Sequence, residues 1–174
     1  MLSNEDGTYA LAVQVDQKIS LEVTKENFSF QAVVLDTNAL KAKTLKIQTP
    51  DLIIDTLQEG GAYAIEAIVF ETDDAQLSAD AQFLLKGFAN YLSKQTNLSI
   101  QINGHTDDIG DALRNQVLSE KRAAQVAAYL TSLGIAEGRI QYKGHGESQP
   151  RVANDSATNR ALNRRTEFEI LSLE

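Results

Sequence analysis

Two side chains in the second half of the chain, Asp107 and Arg122, carry opposite charges, and the second falls where a charge is costly. Gly104-His105-Thr106-Asp107-Asp108 follows a strand-like run, Leu98, Ile100 and Ile102, and precedes a long helical pattern. That pattern runs from a capping Asp111 to Leu133, with Gly134 suited to the position just past its end. Projected at about 100° per residue, Leu118, Val126, Tyr129, Leu130 and Leu133 share one arc, which must face a sheet. Glu120, Lys121, Ala128 and Thr131 fall opposite. Arg122 breaks the pattern, because it lies in the middle of the apolar arc with Asn115 on the same side. A guanidinium turned toward a core needs a partner, since desolvating it alone costs several kcal/mol.

A loop between a strand end and a helix start puts its side chains at the carboxyl edge of a sheet, where ligands commonly sit. Asp107 and Arg122 are then expected to flank one concavity. A carboxylate accepts from an ammonium, and a guanidinium grips a carboxylate through two parallel hydrogen bonds. The pair suits a zwitterion of the amino-acid kind. Two alternatives stay open: the residues satisfy each other and bind nothing, or Arg122 makes a structural ion pair or snorkels at the sheet edge.

The elements that must position this pair are legible as patterns. Ala62 to Phe70 reads as a strand. Ser78 can cap a helix that has Asp80 in its first turn and Leu77, Ala81, Leu84, Phe88 and Leu92 on one face. Ile140 and Tyr142 begin a further strand, and Phe168 and Ile170 alternate in the last one, with a polar loop between. The order β-α-β-α-β-β predicts an α+β fold, a layer of helices on a mixed sheet. Before Gly60-Gly61 the pattern is strand-like throughout: Tyr9 to Val15, Ile19 to Val23, Phe28 to Leu35, then Leu45 and Ile47. About five short antiparallel strands are expected there, so the chain divides into a β-rich segment over 1–60 and an α+β domain over 61–174.

Composition limits the functions on offer. The 174 residues carry 16 Lys and Arg against 24 Asp and Glu, a net charge of -8, which argues against a general nucleic-acid binder. Residues 112–165 hold a local excess of arginine, but Tyr129 belongs to the core and Tyr142 to a strand, so bases have little to stack on. No cysteine is present, which removes disulfides, thiolate metal sites and cysteine nucleophiles together. His105 and His145, the only histidines, could suggest a metal set with Asp107, but they lie far apart in the chain and lack ligand spacing. No cofactor is expected. Ser119 and Ser148 have no His-acid partner in context. Glu147 lacks the second carboxylate that glycoside cleavage needs. The chain is expected not to be an enzyme.

The longer pattern resembles a known family. G-H-T-D at 104–107 is followed by N-x-x-L-S-x-x-R-A (Asn115, Leu118, Ser119, Arg122, Ala123). The G-x-G-E-x-x-P turn (Gly144, Gly146, Glu147, Pro150) and a closing Asn163-Arg164-Arg165 come next, in the order found in OmpA-like C-terminal domains. The segment IVFETDDAQL resembles the family's first strand and turn, and the likeness covers about 62–172. It implies non-covalent binding of peptidoglycan through the diaminopimelate of the stem peptide. Asp107 matches the residue that receives the ammonium and Arg122 the one that receives the carboxylate. Asp73, Thr106, Asn115, Leu118 and Arg165 match supporting positions in the pocket wall. The implied role is to anchor an outer-membrane or envelope complex to the wall from the periplasm. A peptidoglycan hydrolase and a scaffold that has lost its ligand are the competing roles.

Three positions depart from the family pattern. Asn159 stands where Gly is usual, and its tolerance of a left-handed backbone should preserve the turn. His145 replaces an aromatic residue. Asp108 replaces an Asn and should make the ammonium side more negative. More weakly, Asp6-Gly7-x-Tyr9 and the strands after it resemble the latter part of a carboxypeptidase-regulatory-like β-sandwich. Strands missing from that partial sandwich would leave an open edge, through which a homodimer is expected. Residues 1–7 have neither a basic n-region nor an apolar h-region, so an export signal is expected elsewhere in the native chain.

Overall fold

The computed structural model describes residues 18–37, 54–65, 68, 70 and 74–173. Two strands, β1 (Lys18–Val23) and β2 (Gln31–Asp36), form an antiparallel pair. The remaining elements are β3 (Ala62–Ala64), α1 (Ala79–Lys94), β4 (Ser99–Gly104), α2 (Ala112–Ser132), β5 (Ile140–Gly144), α3 (Ala157–Asn163) and β6 (Thr166–Ser172). Strands β3 to β6 make one mixed sheet in the order β3-β6-β4-β5. β4 and β5 run parallel, joined by the α2 crossover, and β6 lies antiparallel between β3 and β4.

The expected α+β architecture is present. Leu77, Ala81, Leu84, Phe88 and Leu92 are all buried, as the helical spacing requires. Ser78 caps α1 by accepting from the Ala81 N–H at 3.1 Å. The far end of α1 is also held from a distant segment, since Arg139 Nη2 donates to Leu92 O at 3.0 Å and Gln95 O at 2.6 Å. The strand expected from Ala62 to Phe70 pairs in the sheet over Ala62–Ala64 among the described residues.

Phe88 is the hub of the core. Its ring lies 5.3 Å from Phe30 beside β2 and 4.9 Å from Phe168 on β6. The Tyr91 hydroxyl donates to Phe28 O at 2.7 Å, which fastens the β1–β2 pair to α1. Phe30 and Leu57 therefore belong to the same hydrophobic cluster as the α+β unit, and the change of sequence character near residue 60 falls within a shared core. The expected strands at Tyr9 to Val15 and at Leu45 and Ile47 lie outside the described residues, with most of the segment likened to a β-sandwich.

Two differences from the sequence reading concern helices. The stretch read as a polar loop before β6 contains α3, a short helix capped by Ser156, whose Oγ accepts from the Asn159 N–H at 3.1 Å. Asn159 sits inside that helix and needs no left-handed backbone. Among the described non-glycine residues Asn27 alone has a positive φ, 61°. The second difference is the rotation of α2. Its buried side chains are Asn115, Ser119, Arg122, Ala123, Val126, Ala127 and Leu130, while Leu133 is exposed and Leu118 and Tyr129 are only half-buried. The sheet-facing stripe is thus centred on small residues rather than on the leucines.

The strand register explains this rotation. Gly104 and Gly144 are direct partners at the carboxyl ends of β4 and β5. A Cβ on Gly104 would lie 2.3 Å from Ser119 O, and one on Gly144 would lie 2.4 Å from Glu120 N. The helix backbone therefore rests directly on the sheet edge, and only residues as small as Ser119 and Ala123 fit beneath it.

Candidate functional site

The close seating of α2 sets the site, because it brings the helix's first turns beside the loop that leaves β4. That loop is tied down at both ends. The His105 N–H donates to Arg165 O at 3.0 Å and the Thr106 N–H to Gly146 O at 2.9 Å. At the far end Asp111 Oδ1 accepts from the Leu113 and Arg114 N–H groups, both at 3.0 Å, and starts α2. Asp107 is held between these anchors and is buried, with 8% of its surface exposed. Its Oδ1 accepts from the Ile109 N–H at 3.1 Å, and its Oδ2 accepts from Arg164 Nη1 at 2.6 Å.

Arg122 approaches from α2. It is 6% exposed, its Nε donates to Asp74 O at 2.9 Å, and its guanidinium carbon lies 5.1 Å from the Phe70 ring centroid. A carbonyl and an aromatic face thus offset part of the cost of burying this cation. Asp107 and Arg122 line one open groove of about 1020 Å³, as do Thr106, Asn115, Leu118 and Phe70. Both charges flank a single concavity, as expected. Asp107 takes Arg164 as its ion-pair partner.

Asn115 fastens the groove floor. Its Nδ2 lies 2.7 Å from Glu147 Oε2, 3.1 Å from Ile109 O and 3.3 Å from Asp107 O. Glu147 is therefore engaged in holding two loops together.

Arg165 is placed differently. It borders a smaller recess of about 160 Å³, shared with Arg122, Arg164, His105 and Phe70, and does not line the main groove. Its Nε donates to Glu167 Oε1 at 2.6 Å. Burial alone would raise the Glu167 carboxyl, but His105 and the Arg165 guanidinium overturn this and hold it at about 2. Asp73 lies outside the described residues.

Sequence reasoning missed Arg164, the neighbour of Arg165 in the same motif. Choosing between adjacent arginines requires the phase of α3, which was not read from the sequence. Buried Asn163 fixes that phase by accepting from the Arg151 and Val152 N–H groups at 2.8 and 3.1 Å. It also missed an apolar rim, Ile109, Leu113 and Val117, all well exposed and all along the groove.

Asp108 does not add uncompensated negative charge. It pairs with Arg160 at 2.8 Å, and that hydrogen bond holds its carboxyl below the usual range. His145 fills its aromatic position as a ring, stacked on His105 with centroids 4.9 Å apart and planes at 7°. Its Nε2 lies 3.0 Å from Asn103 Oδ1. Burial, followed by the neighbouring His105, pushes the His145 imidazole below its ordinary value.

A model of the OmpA family matches residues 69–164. The chain belongs to the OmpA family. The chain is similar to outer membrane porin F from Pseudomonas aeruginosa, 32% identical over 123 residues, which is 66% of this chain and 35% of the porin. The chain thus spans about a third of that relative's length. The peptidoglycan-associated lipoprotein of Burkholderia pseudomallei superposes with a TM-score of 0.56 at 28% identity, covering 59% of this chain and 87% of that one. The cell wall anchor of the T6SS from Pseudomonas aeruginosa superposes with a TM-score of 0.55 at 32% identity, covering 64% and 79%. The OmpA domain of this chain has the mixed α+β fold of these neighbours. Among the described residues no helix is long and apolar enough to cross a membrane.

Proposed function

We propose that this chain binds peptidoglycan non-covalently in the cell envelope and anchors an envelope complex to the wall. The ligand group is the zwitterionic end of diaminopimelate in the stem peptide. Asp107 receives its ammonium and Arg122 its carboxylate. Leu118 and the rim residues Ile109 and Leu113 flank the methylenes between. One observation carries this reading: a buried carboxylate and a buried guanidinium, from different elements, line the same groove. The likeness to a peptidoglycan-associated lipoprotein and to a cell wall anchor supports the choice of wall polymer.

The groove suits binding rather than cleavage. Glu147, the acid of the G-x-G-E-x-x-P turn, is engaged by the Asn115 amide. A single diaminopimelate contact should be modest in affinity, and repeated copies along the wall would supply the anchoring strength.

The test is calorimetric titration with a diaminopimelate-containing muropeptide beside its lysine-containing counterpart. Lysine keeps the ammonium and lacks the carboxylate assigned to Arg122. Tighter binding of the diaminopimelate form is expected. Equal binding of both would remove Arg122 from the assignment, and no heat from either would leave a scaffold without this ligand.

A further inference from the structure

Asp107 is the proposed seat of a ligand ammonium, yet one of its oxygens is already held by a cation of this chain. Arg164 Nη1 lies 2.6 Å from Oδ2, and the other oxygen takes the Ile109 N–H. Among the described residues the Arg164 guanidinium makes this one hydrogen bond, and its side chain is 48% exposed while that of Asp107 is 11% exposed. The backbone beneath it is fixed. Arg164 ends α3, with its N–H on Arg160 O at 3.1 Å, directly after the fully buried Asn163. Arg164 is thus a long, half-exposed arm on a rigid base. It borders both the main groove and the recess that contains Arg122.

We infer that Arg164 is a specificity-determining residue, a competing cation that a ligand ammonium must displace from Asp107. The inference rests on the peptidoglycan reading above. Its physical content is a cost applied to every ammonium ligand, because breaking the Arg164 contact removes an ion pair. A ligand that also carries a carboxylate recovers that cost. Its anion sits beside Arg122, at the boundary of the recess that the released Arg164 guanidinium also borders. A ligand with the ammonium alone leaves Arg164 displaced and without a new partner. Arg164 therefore sharpens the choice of diaminopimelate over lysine by penalising lysine, which is discrimination through a cost against the wrong ligand.

The test compares the full chain with R164Q, using diaminopimelate- and lysine-containing muropeptides in parallel titrations. R164Q should bind the lysine form roughly two- to fivefold more tightly, the range that a half-exposed ion pair commands. Its diaminopimelate affinity should change less or fall, so the ratio between the two ligands shrinks. An unchanged or larger ratio in R164Q would overturn the inference. Failure of both proteins to bind the diaminopimelate form would overturn the peptidoglycan reading itself, and the role of Arg164 with it.

A second readout needs no variant. In the wild-type chain labelled with ¹⁵N-arginine, the Arg164 guanidinium signals should show restrained rotation before titration. They should lose it as the lysine muropeptide saturates the site. Restrained signals that persist at saturation would mean that Arg164 stays on Asp107, and that the ligand does not compete with it.

Discussion

Asn115 and Glu147 share a hydrogen bond of 2.7 Å that closes the floor of the groove between the start of α2 and the loop after β5. The same amide nitrogen reaches the carbonyls of Asp107 and Ile109. One side chain therefore sets the height of the Asp107 loop relative to the helix. N115A should leave the buried Asp107 carbonyl and the part-buried Ile109 and Glu147 acceptors without this donor, and it should destabilise the fold by about 1–3 kcal/mol. It should also weaken binding, because Asp107 loses its backstop. Urea unfolding checks the first effect and muropeptide titration the second. Stability lost with affinity retained would mean that Asp107 is positioned by its other contacts.

The two groove charges should respond differently to substitution. Truncating one member of a buried, hydrogen-bonded charge contact costs on the order of 2–5 kcal/mol of binding. R122A should therefore abolish measurable binding of the diaminopimelate form. R122K should retain part of it, since an ammonium keeps the charge and loses the paired hydrogen bonds. D107A should weaken binding of both diaminopimelate and lysine forms, and it should leave Arg164 without its partner. Normal folding with wild-type affinity in either alanine variant would show that the ligand lies elsewhere.

Much of this site was legible because its chemistry conflicts with its surroundings. Arg122 stood out as a cation on an apolar arc, and it is buried against Phe70 in the groove. Asp107 followed from its place between a strand end and a helix cap. Arg164 was not legible, because adjacent arginines look alike until α3 fixes which one faces Asp107. The rotation of α2 was hidden for a related reason. An arc drawn through the large apolar residues misses a contact made by glycine, where the sheet supplies no side chain and the helix supplies its backbone.

That contact yields a prediction on stability. A methyl group on Gly104 would meet the Ser119 carbonyl oxygen at 2.3 Å, and backbone atoms cannot turn aside as a flexible side chain can. G104A should push α2 off the sheet edge and cost about 1–3 kcal/mol, the usual range for overpacking. The displaced helix carries Asn115 and Arg122 with it, so binding should fall along with stability. Thermal unfolding and titration of the same sample check both. A G104A protein as stable as wild type would mean that the helix rides higher than the glycine pair implies.

The stack of His145 on His105 and the carboxyl of Glu167 give the chain a pH dependence with two limbs. His145 lies on His105, and its imidazole is pushed below its ordinary value by burial first and by His105 and Lys143 next, while Glu167 and Glu169 oppose the shift. A histidine whose folded value is depressed adds stability above its unfolded value of about 6.5, and loses it as pH falls through the folded value. Glu167 behaves in the same direction at lower pH, since it is held at about 2 against an ordinary value of 4.5. Its contribution is present above 4.5 and is lost as pH falls toward about 2. Stability should therefore decline in two steps on acidification. H145F keeps a ring on His105 and removes the titrating group, so the upper step should flatten while the lower one remains. Urea midpoints measured for both proteins from neutral pH downward would show this. An upper step of undiminished size in H145F would assign it to a group other than His145.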